Sequence, residues 1–238
     1  MPGWLVTHVA ETGSTNDDLL ALASRGVARD RTVLVADHQT AGRGRLDRRW
    51  DAPAGQNLLC SMLIDARNRP HVAQHIVGLA LIDAARETAG IELALKWPND
   101  VVRVAADGAW SKVAGMLSVL VPDVGVIVGI GVNLGWAPEG GARIAAVDGR
   151  SSPTPLDMLA AVLVSIDRFL SMENATVFDI YRTALDTIGR RVRVELPGDQ
   201  VLEGRAMGVN DDGELIVLDG CAVSHAVAVG DVIHLRDG

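Results

Sequence analysis

The chain of 238 residues contains few aromatic side chains, which make up only 3% of it. Its core must therefore be built from Val, Leu, Ile and Ala, and the hydrophobic fraction of 48% is ordinary for a globular protein. Cysteine is also scarce, because only Cys60 and Cys221 occur, far apart and without metal-ligand spacing. Both stand in apolar surroundings, so we expect buried free thiols, which suit a reducing compartment.

Other signals that are missing exclude further classes of protein. No run of ~20 apolar residues occurs, so no membrane span is expected. The N-terminus lacks a basic segment followed by an apolar run, so we expect no signal peptide and a cytoplasmic location. The formal net charge of -8 argues against a nucleic-acid partner, which would favour a broad basic face. No Ser-His-Asp or Cys-His pattern is present.

The hydrophobic pattern predicts a mixed α/β chain with a boundary near Gly189. We expect helices after a cap at Ser14 and over residues 70–89, 156–172 and 177–188. We expect strands over residues 4–9, 32–36, 57–64, 91–97, 101–104, 112–121 and 124–134, and a surface loop over 135–155. His71 and His75 are predicted to be surface or cap residues. Short strands after Arg191 indicate a small β-barrel, which gives domains 1–188 and 189–238.

A loop rich in arginine follows the predicted strand 32–36. Within seven positions it has four basic residues and one acid, namely Arg43, Arg45, Arg48, Arg49 and Asp47. Gly42 and Gly44 allow a tight turn and a close approach to a ligand. Because guanidinium groups match phosphate oxygens, the loop predicts a site for a nucleotide's phosphates, mobile when empty and ordered over its ligands. A solvated surface turn explains the composition equally well.

Other stretches also have a structural and a functional interpretation. Ser14-Thr15-Asn16 is typical of a helix N-terminus, and capping alone is the favoured reading, although such amides can face a ligand. Pro98 should end a strand and leave Asn99 and Asp100 in a turn. Three glycines in a predicted hairpin, Gly115, Gly129 and Gly131, indicate a ligand or backbone close by, or a helix packed on the sheet.

Five motifs occur in the order that is typical of biotin protein ligases. The first is Ser14-Thr15-Asn16. The second is the arginine loop, with Gln39 before it, Gly42-Arg43-Gly44-Arg45 in it, and Arg48 and Trp50 at its end. The other three are Lys96-Trp97-Pro98-Asn99-Asp100, Lys112-Val113-Ala114-Gly115-Met116-Leu117 and Gly129-Ile130-Gly131-Val132-Asn133. Each motif alone is weak, but five in order make a chance match improbable. The chain therefore resembles a biotin protein ligase over about residues 11–134, and its tail fits in style.

The resemblance implies an enzyme that uses ATP and Mg²⁺ to make biotinyl-5′-AMP and then passes biotin to a lysine of a biotin carboxyl carrier domain. Carried over by position, it implies biotin contacts for Ser14, Thr15, Asn16, Gln39, Arg43, Gly44, Arg45, Lys112 and Gly115. It implies ATP contacts for Arg45, Arg48, Trp50, Lys96, Asn99, Lys112 and Asn133, with Trp50 against adenine. Arg43, Arg45 and Lys112 would be catalytic. The metal ligands are open, with Asp100 as a candidate.

The chemistry explains why such cations are needed. The substrate carboxylate attacks the α-phosphorus while pyrophosphate leaves, so two anions must meet and charge develops on the phosphoryl oxygens. Preorganised cations lower that barrier, and losing one such donor commonly costs ~10²- to 10³-fold in rate. The carboxylate is itself the nucleophile, which fits the absence of a nucleophilic side-chain pattern.

Two positions depart from the family pattern. Asp47 stands where the family often has a glycine, and it could pair with Arg45, Arg48 or Arg49, which bears on loop closure and nucleotide affinity. Gly135 stands where many relatives have a second asparagine, which weakens the prediction of one nucleotide contact.

The resemblance also implies a fold and leaves alternatives open. It implies an α+β catalytic domain with a central mixed β-sheet packed with helices, similar to class II synthetases, and a small C-terminal SH3-like β-barrel.

Only a short stretch precedes Ser14, so we expect a ligase without the winged-helix DNA-binding domain of bifunctional relatives. Monomer and homodimer both stay open. Lipoate ligases share the activation chemistry but lack the Gly-Arg-Gly-Arg loop, and Arg45 with Lys112 argues against a protein that binds without turnover.

Overall fold

The computed structural model describes residues 3–46, 48–66, 70–147, 149 and 151–235, and four helices and twelve strands occur within them. In chain order the elements are β1 (Leu5–Thr12), α1 (Thr15–Ser24), β2 (Thr32–Gln39), β3 (Leu58–Ile64), α2 (Pro70–Ala89), β4 (Ala94–Lys96), β5 (Asp100–Val104), β6 (Trp110–Val121), β7 (Gly125–Val132), α3 (Pro155–Leu170), α4 (Asn174–Ala184), β8 (Arg191–Leu196), β9 (Gln200–Val209), β10 (Leu215–Asp219), β11 (Ser224–Val227) and β12 (Asp231–His234). None of these helices has both the length and the apolar character needed to cross a membrane.

Strands β1 to β7 form one mixed sheet in the order β1-β2-β3-β7-β6-β5-β4. β1 runs parallel to β2, whereas each other neighbouring pair is antiparallel. Every residue of β3 and β7 is buried, and their continuous apolar runs are what a strand covered on both faces requires. The predicted α+β class, with a central mixed sheet packed with helices, is confirmed.

Helices cover both faces of this sheet. α2 lies on one face with α3 and α4 packed against it, while Leu19 and Ala23 of α1 pack on the other face against Leu63 and Ile127. The predicted bounds of α2 are confirmed, since it runs from Pro70 to Ala89.

Several predicted element boundaries were wrong because long-range pairing overrides the local pattern. β2 continues to Gln39, beyond the predicted end at residue 36, because Thr12 of β1 pairs with it there. The strand predicted over 91–97 is only β4, Ala94–Lys96. The helix predicted over 177–188 is α4, Asn174–Ala184, and it ends where Leu185 forms a bridge with Leu95.

Strands β8 to β12 form a second, antiparallel sheet in the order β11-β10-β9-β8-β12. Over the described part of the chain this sheet is open, with β11 and β12 at its edges, so the predicted closure into a barrel is not observed. Trp97 joins the two sheets, because its Nε1 donates to the Gly213 carbonyl at 2.9 Å and its side chain is buried. Trp97 is therefore a core anchor.

Three further predictions need correction. His75 is not a surface residue: it is buried, because α4 covers α2 and the Tyr181 ring stacks on the imidazole at 3.7 Å. Cys60 is buried as expected, but Cys221 is exposed, since it lies in the turn between β10 and β11. The stretch 135–155 is not wholly a surface loop, because Ile144 is buried and its amide donates to the Asn133 carbonyl at 2.9 Å.

Candidate functional site

A cavity of about 620 Å³ is lined by the start of α1, by β3, β6 and β7, by the arginine loop (described at 42–46 and 48–50) and by the first residue of β12. Its lining includes all but one of the predicted substrate-binding and metal-linked residues, namely Ser14, Thr15, Asn16, Gln39, Arg43, Gly44, Arg45, Arg48, Trp50, Asn99, Asp100, Lys112, Gly115 and Asn133. The exception is Lys96, whose Nζ lies 4.0 Å from Asp100 and 5.3 Å from the centre of the Trp110 ring.

One end of the cavity is an uncharged hydrogen-bond network at the start of α1. The amide and Oγ1 of Thr15 both donate to Gln39 Oε1, at 2.8 and 3.0 Å. Ser61 Oγ lies 2.7 Å from Thr15 Oγ1 and donates to Asn16 Oδ1 at 2.7 Å. Asn16 Nδ2 in turn donates to the Leu117 carbonyl at 3.1 Å. These donors and acceptors are fixed before a ligand arrives, which suits recognition of a polar head group.

Helix capping positions that network. Ser14 is the N-cap of α1, as predicted, and its Oγ accepts from the Asp17 amide at 3.4 Å. Capping and ligand binding are compatible here, because Ser14, Thr15 and Asn16 are all buried and all line the cavity.

The floor of the cavity is made of glycine on β6 and β7. A Cβ at Gly129 would lie 2.3 Å from Asn16 Oδ1, and one at Gly131 would lie 2.3 Å from the Trp50 ring. At Gly115 it would meet Lys112 Nζ at 2.9 Å and Trp50 at 3.0 Å. The close neighbours of these glycines are therefore side chains of the site, which neither sequence interpretation anticipated.

The other end of the cavity is charged. Lys112 Nζ lies 2.6 Å from Asp100 Oδ1 and 5.3 Å from the centre of the Trp50 ring. Arg45 Nη1 donates to Asn99 Oδ1 at 3.5 Å and to the Gly230 carbonyl at 3.2 Å. Both cations point into the cavity from different elements, so anionic groups placed there would be contacted from two sides.

Burial lowers the pKa of two basic side chains in this region, Arg45 in the lining and Lys96 beside it. It lowers the pKa of the Arg45 guanidinium from its usual value, and Asp231 and Asp100 oppose that effect. Burial likewise lowers the pKa of the Lys96 ammonium, against the same two carboxylates. A partly desolvated cation interacts more strongly with a phosphate than one in water does.

The arginine loop closes on itself at its base. The Trp50 amide donates to the Gly42 carbonyl at 3.0 Å, and the Gly44 amide donates to the Arg48 carbonyl at 2.6 Å. A Cβ at Gly42 would lie 2.5 Å from the Trp50 carbonyl, so only glycine fits at this closure. The predicted pairing of Asp47 with neighbouring arginines lies outside the described residues.

Two asparagines predicted to bind ATP are also part of the framework. Asn99 Nδ2 donates to the Met116 carbonyl at 2.8 Å. Asn133 Nδ2 donates to the carbonyls of Lys112 and Ala142, at 3.2 and 3.1 Å. Both side chains therefore hold β6, the strand that carries Lys112, apart from any contact with a ligand.

Sequence reasoning missed several residues of the lining, among them Ser61, Trp136 and Asp231. Ser61 lies on β3, and only the pairing of that strand with β7 brings it to the cavity. Trp136 lies in the stretch predicted to be a surface loop, and its position three residues after Asn133 could have indicated it. Asp231 lies in a C-terminal turn pattern, and no local signal distinguishes it.

The carboxylates of the cavity do not form a metal cage. Over the described ranges no three His, Cys, Asp or Glu side chains group together as metal ligands. Asp100 is already paired with Lys112. One or two carboxylates are nevertheless the usual protein share for Mg²⁺ that arrives with a nucleotide. The donor set therefore fits a metal carried by ATP, with Asp100 as its candidate contact.

The fold and the site together define a cavity that has an uncharged polar network at one end and cationic side chains at the other, over a floor of glycines. Residues 11–135 match the Biotin/lipoate A/B protein ligase family, and residues 187–235 match the Biotin protein ligase C terminal domain. The chain belongs to this family and is a ligase.

Similar proteins span nearly the whole chain. The biotin–[acetyl-CoA-carboxylase] ligase of Mycobacterium tuberculosis is 38% identical, over 98% of this chain and 91% of the relative. That of Paracoccus denitrificans is 35% identical, over 88% of this chain and 92% of the relative. Among solved structures, the biotin protein ligase from Aquifex aeolicus in complex with biotin and ATP superposes with a TM-score of 0.77 at 25% identity, covering 98% of this chain and 99% of that one.

Proposed function

We propose that this chain is an ATP-dependent biotin protein ligase. It condenses biotin with ATP to biotinyl-5′-AMP and diphosphate, and then transfers biotin to a specific lysine of a biotin carboxyl carrier domain of a carboxylase. The observation that carries the proposal is the single cavity that has the Thr15–Gln39 network at one end and Arg45 with Lys112 at the other. The names of the Mycobacterium and Paracoccus relatives agree with it.

The two ends of the cavity match the two ends of the substrate pair. The ureido ring of biotin would meet the buried side chains of Ser14, Thr15 and Asn16 with Gln39, whose donors and acceptors complement an uncharged urea. The biotin carboxylate would then lie over Gly115, toward Lys112. This orientation brings the nucleophile to the cationic end without placing a charge in the polar network.

The cationic end would bind the phosphates. Arg43, Gly44 and Arg45 would close over biotin and the phosphates, and Arg48 would contact the nucleotide. Lys112 would contact the carboxylate and the adenylate linkage. Mg²⁺ that arrives with ATP supplies further charge neutralisation. Trp50, Asn99 and Asn133 would position the adenosine.

Lys96 is the weakest of the proposed contacts. It lies outside the cavity lining, and Asp100 stands between it and Lys112. It would therefore act on the phosphates mainly through its charge.

The catalytic step needs no proton transfer to a side chain. The biotin carboxylate attacks the α-phosphorus, the bond from that phosphorus to the bridging oxygen breaks, and pyrophosphate leaves with the electron pair. Arg43, Arg45 and Lys112 would reduce the repulsion between the two anions and stabilise the charge that develops on the phosphoryl oxygens. In the second step the acceptor lysine attacks the mixed anhydride, and AMP leaves.

We propose the two sheets as two domains, 1–188 and 189–238, and the cytoplasm as the location. No nucleic-acid partner is proposed, and both a monomer and a homodimer are compatible with the function.

Biotin-dependent exchange of labelled pyrophosphate into ATP tests the adenylation step. Exchange that requires biotin supports the proposal, whereas exchange that requires lipoate assigns the chain to the lipoate branch. Retained binding of biotin or ATP without any exchange indicates a binding protein. Transfer is tested with ATP, biotin and a purified carrier domain, where an acceptor with its lysine replaced by arginine should stay unmodified.

A further inference from the structure

The C-terminal sheet contributes one carboxylate to the cationic end of the cavity. Asp231, the first residue of β12, forms an ion pair with Arg48, and the preceding Gly230 carbonyl accepts from Arg45 Nη1 at 3.2 Å. Of the described residues from 187 onward, only Asp231 lines the cavity. Two arginines of the same loop are thus tied to two consecutive residues of the other sheet.

The remaining arginines of the loop pair with residues of the N-terminal part of the chain. Arg43 pairs with Asp17 in the first turn of α1, and Arg49 Nε donates to Asp51 at 2.6 Å. The base of the loop is therefore fixed on one side of the cavity and its tip on the other. The tip, with Arg45 and Arg48, is the part that would face the phosphates.

Asp231 lies on a paired strand that packs closely against its neighbour. β12 pairs with β8, with Asp231 opposite Glu195. A Cβ at Gly230 would lie 2.6 Å from Val194 Cγ1, so the strand lies tight against β8 at this point. A residue on a strand holds its partner more precisely than one on a free loop does.

We propose that Asp231 is a positioning residue for adenylation: through its ion pair with Arg48, it holds the tip of the arginine loop over the phosphate end of the cavity. The inference rests on the proposed function. A direct role toward the nucleotide is disfavoured by charge, because a carboxylate repels phosphates. Its contribution must therefore act through the cations that it faces, which are Arg48, Arg45 and Lys96.

The first arm of the test uses the free protein and does not depend on ligation. Trypsin cleaves after arginine, so the rate of cleavage at residues 43–49, identified by mass spectrometry, reports how firmly the loop is held. Asp231→Asn should be cleaved several-fold faster than wild type without substrates, and Asp231→Glu should restore much of the protection.

A matched control is another Arg–Asp ion pair that joins the two proposed domains. Asp211 in the C-terminal part pairs with Arg182 of α4 at 3.3 Å, and neither residue lines the cavity. Asp211→Asn also removes an Arg–Asp pair between the two units, so it should leave both loop cleavage and adenylation at wild-type rates.

The second arm measures biotin-dependent pyrophosphate exchange. Asp231→Asn should lower kcat about 5- to 10-fold, the size expected for a partly exposed ion pair and the loss of a preorganised loop. In an Arg48→Ala background the same substitution should change kcat less than about 2-fold, because an effect transmitted through Arg48 is non-additive. Thermal unfolding of each variant checks that the fold is retained.

The outcomes separate the two claims. Wild-type cleavage rates in Asp231→Asn, or additive losses in the double variant, would overturn the positioning role. Absence of exchange in wild type would overturn the proposed function, while faster loop cleavage in Asp231→Asn would still show that the carboxylate holds the loop.

Discussion

Among single side chains, Lys112 is proposed to contact both the biotin carboxylate and the adenylate linkage through its positive charge. Its ammonium lies between Asp100, at 2.6 Å, and the face of the Trp50 ring, at 5.3 Å. Its backbone carbonyl accepts from the Ala142 amide at 2.8 Å and from Asn133. The backbone is thus fixed independently of the ammonium, so removing the side chain should change the chemistry without displacing the strand.

Lys112→Ala should reduce the rate of biotin-dependent pyrophosphate exchange by about 10²- to 10³-fold, the usual cost of losing one preorganised cation. The thermal unfolding transition should stay close to that of wild type. Arg103→Ala, which removes an exposed cation from the neighbouring strand β5, is the control and should exchange normally. A normal exchange rate in Lys112→Ala would reject the assigned role.

The glycine floor allows a second prediction for a single residue. Gly129→Ala places a Cβ only 2.3 Å from Asn16 Oδ1, which is closer than the two atoms can approach. Asn16 must therefore move, and its hydrogen bond with Ser61 must break. Biotin affinity, measured by calorimetry, should fall about 10- to 100-fold, in line with the cost of overpacking. ATP affinity should change little, because the cationic end is untouched.

A glycine with free space around it is the control for that substitution. A Cβ at Gly208 on β9 would meet no neighbouring heavy atom of the described residues within 4 Å, so Gly208→Ala should bind biotin as wild type does. Equal biotin affinity in Gly129→Ala and Gly208→Ala would show that the Asn16 network does not contact biotin.

At the scale of elements, the arginine loop is held by ion pairs to α1 and to β12. Leu46 at its tip is 58% exposed, and more than half of each side chain of Arg43, Arg48 and Arg49 is exposed to solvent. Exposed ion pairs contribute little to stability, so the loop should open readily when the cavity holds no anion.

Ligand binding should therefore protect the loop. Trypsin cleavage at residues 43–49 should slow at least several-fold when biotin and ATP are both present, because the phosphates replace weak surface pairs by contacts inside the cavity. Cleavage elsewhere, for example after the exposed Arg25, serves as the internal reference. Equal sensitivity of the loop with and without substrates would contradict the prediction.

Local chemistry made several elements predictable from sequence. The cap at Ser14 and the span of α2 depend on contacts within a few residues, and so does the hairpin of β6 and β7 joined at Asp123. The end of β2 and the burial of His75 depend on partners far along the chain, so no local pattern could give them.

The residues of the site also divide into those that local sequence predicts and those that depend on distant partners. The motifs named most of its residues because each is short and contiguous, and the sheet order then brings them together. Asp231 and Ser61 escaped prediction because their place in the cavity depends on how the second sheet docks and on strand register. The exclusion of Lys96 from the lining depends in the same way on the turn that follows β4.

At the scale of the whole molecule, a buried histidine lies where the helices meet the C-terminal sheet. His75 of α2 stacks on Tyr181 of α4 with an interplanar angle of 18°, and a Cβ at Gly213 would lie 3.3 Å from its ring. His71, one turn earlier, is its nearest titratable neighbour on α2, at 5.5 Å between ring centres. Burial, with a smaller contribution from His71, lowers the pKa of His75 to about 3.

This burial should make the fold sensitive to acid. An unfolded histidine has a pKa of about 6.5, so between that pH and about 3 the unfolded chain binds a proton that the folded chain does not. The free energy of unfolding must therefore fall as pH decreases through this window, by up to about 1.4 kcal/mol per pH unit from this group. His75→Leu removes the group, so its urea unfolding midpoint should depend less steeply on pH between 6.5 and 4 than that of wild type.

The matched control for that experiment is Val77→Ala, which truncates a buried side chain of the same helix α2 without removing a titratable group, so it should lower the urea midpoint but leave its pH dependence as in wild type. The same pH slope in His75→Leu and wild type would mean that His75 is protonated in the folded state, and that the contact between α2, α4 and the C-terminal sheet is open to water. A shallower slope confined to His75→Leu would instead place a single neutral imidazole at the junction that holds the two sheets together.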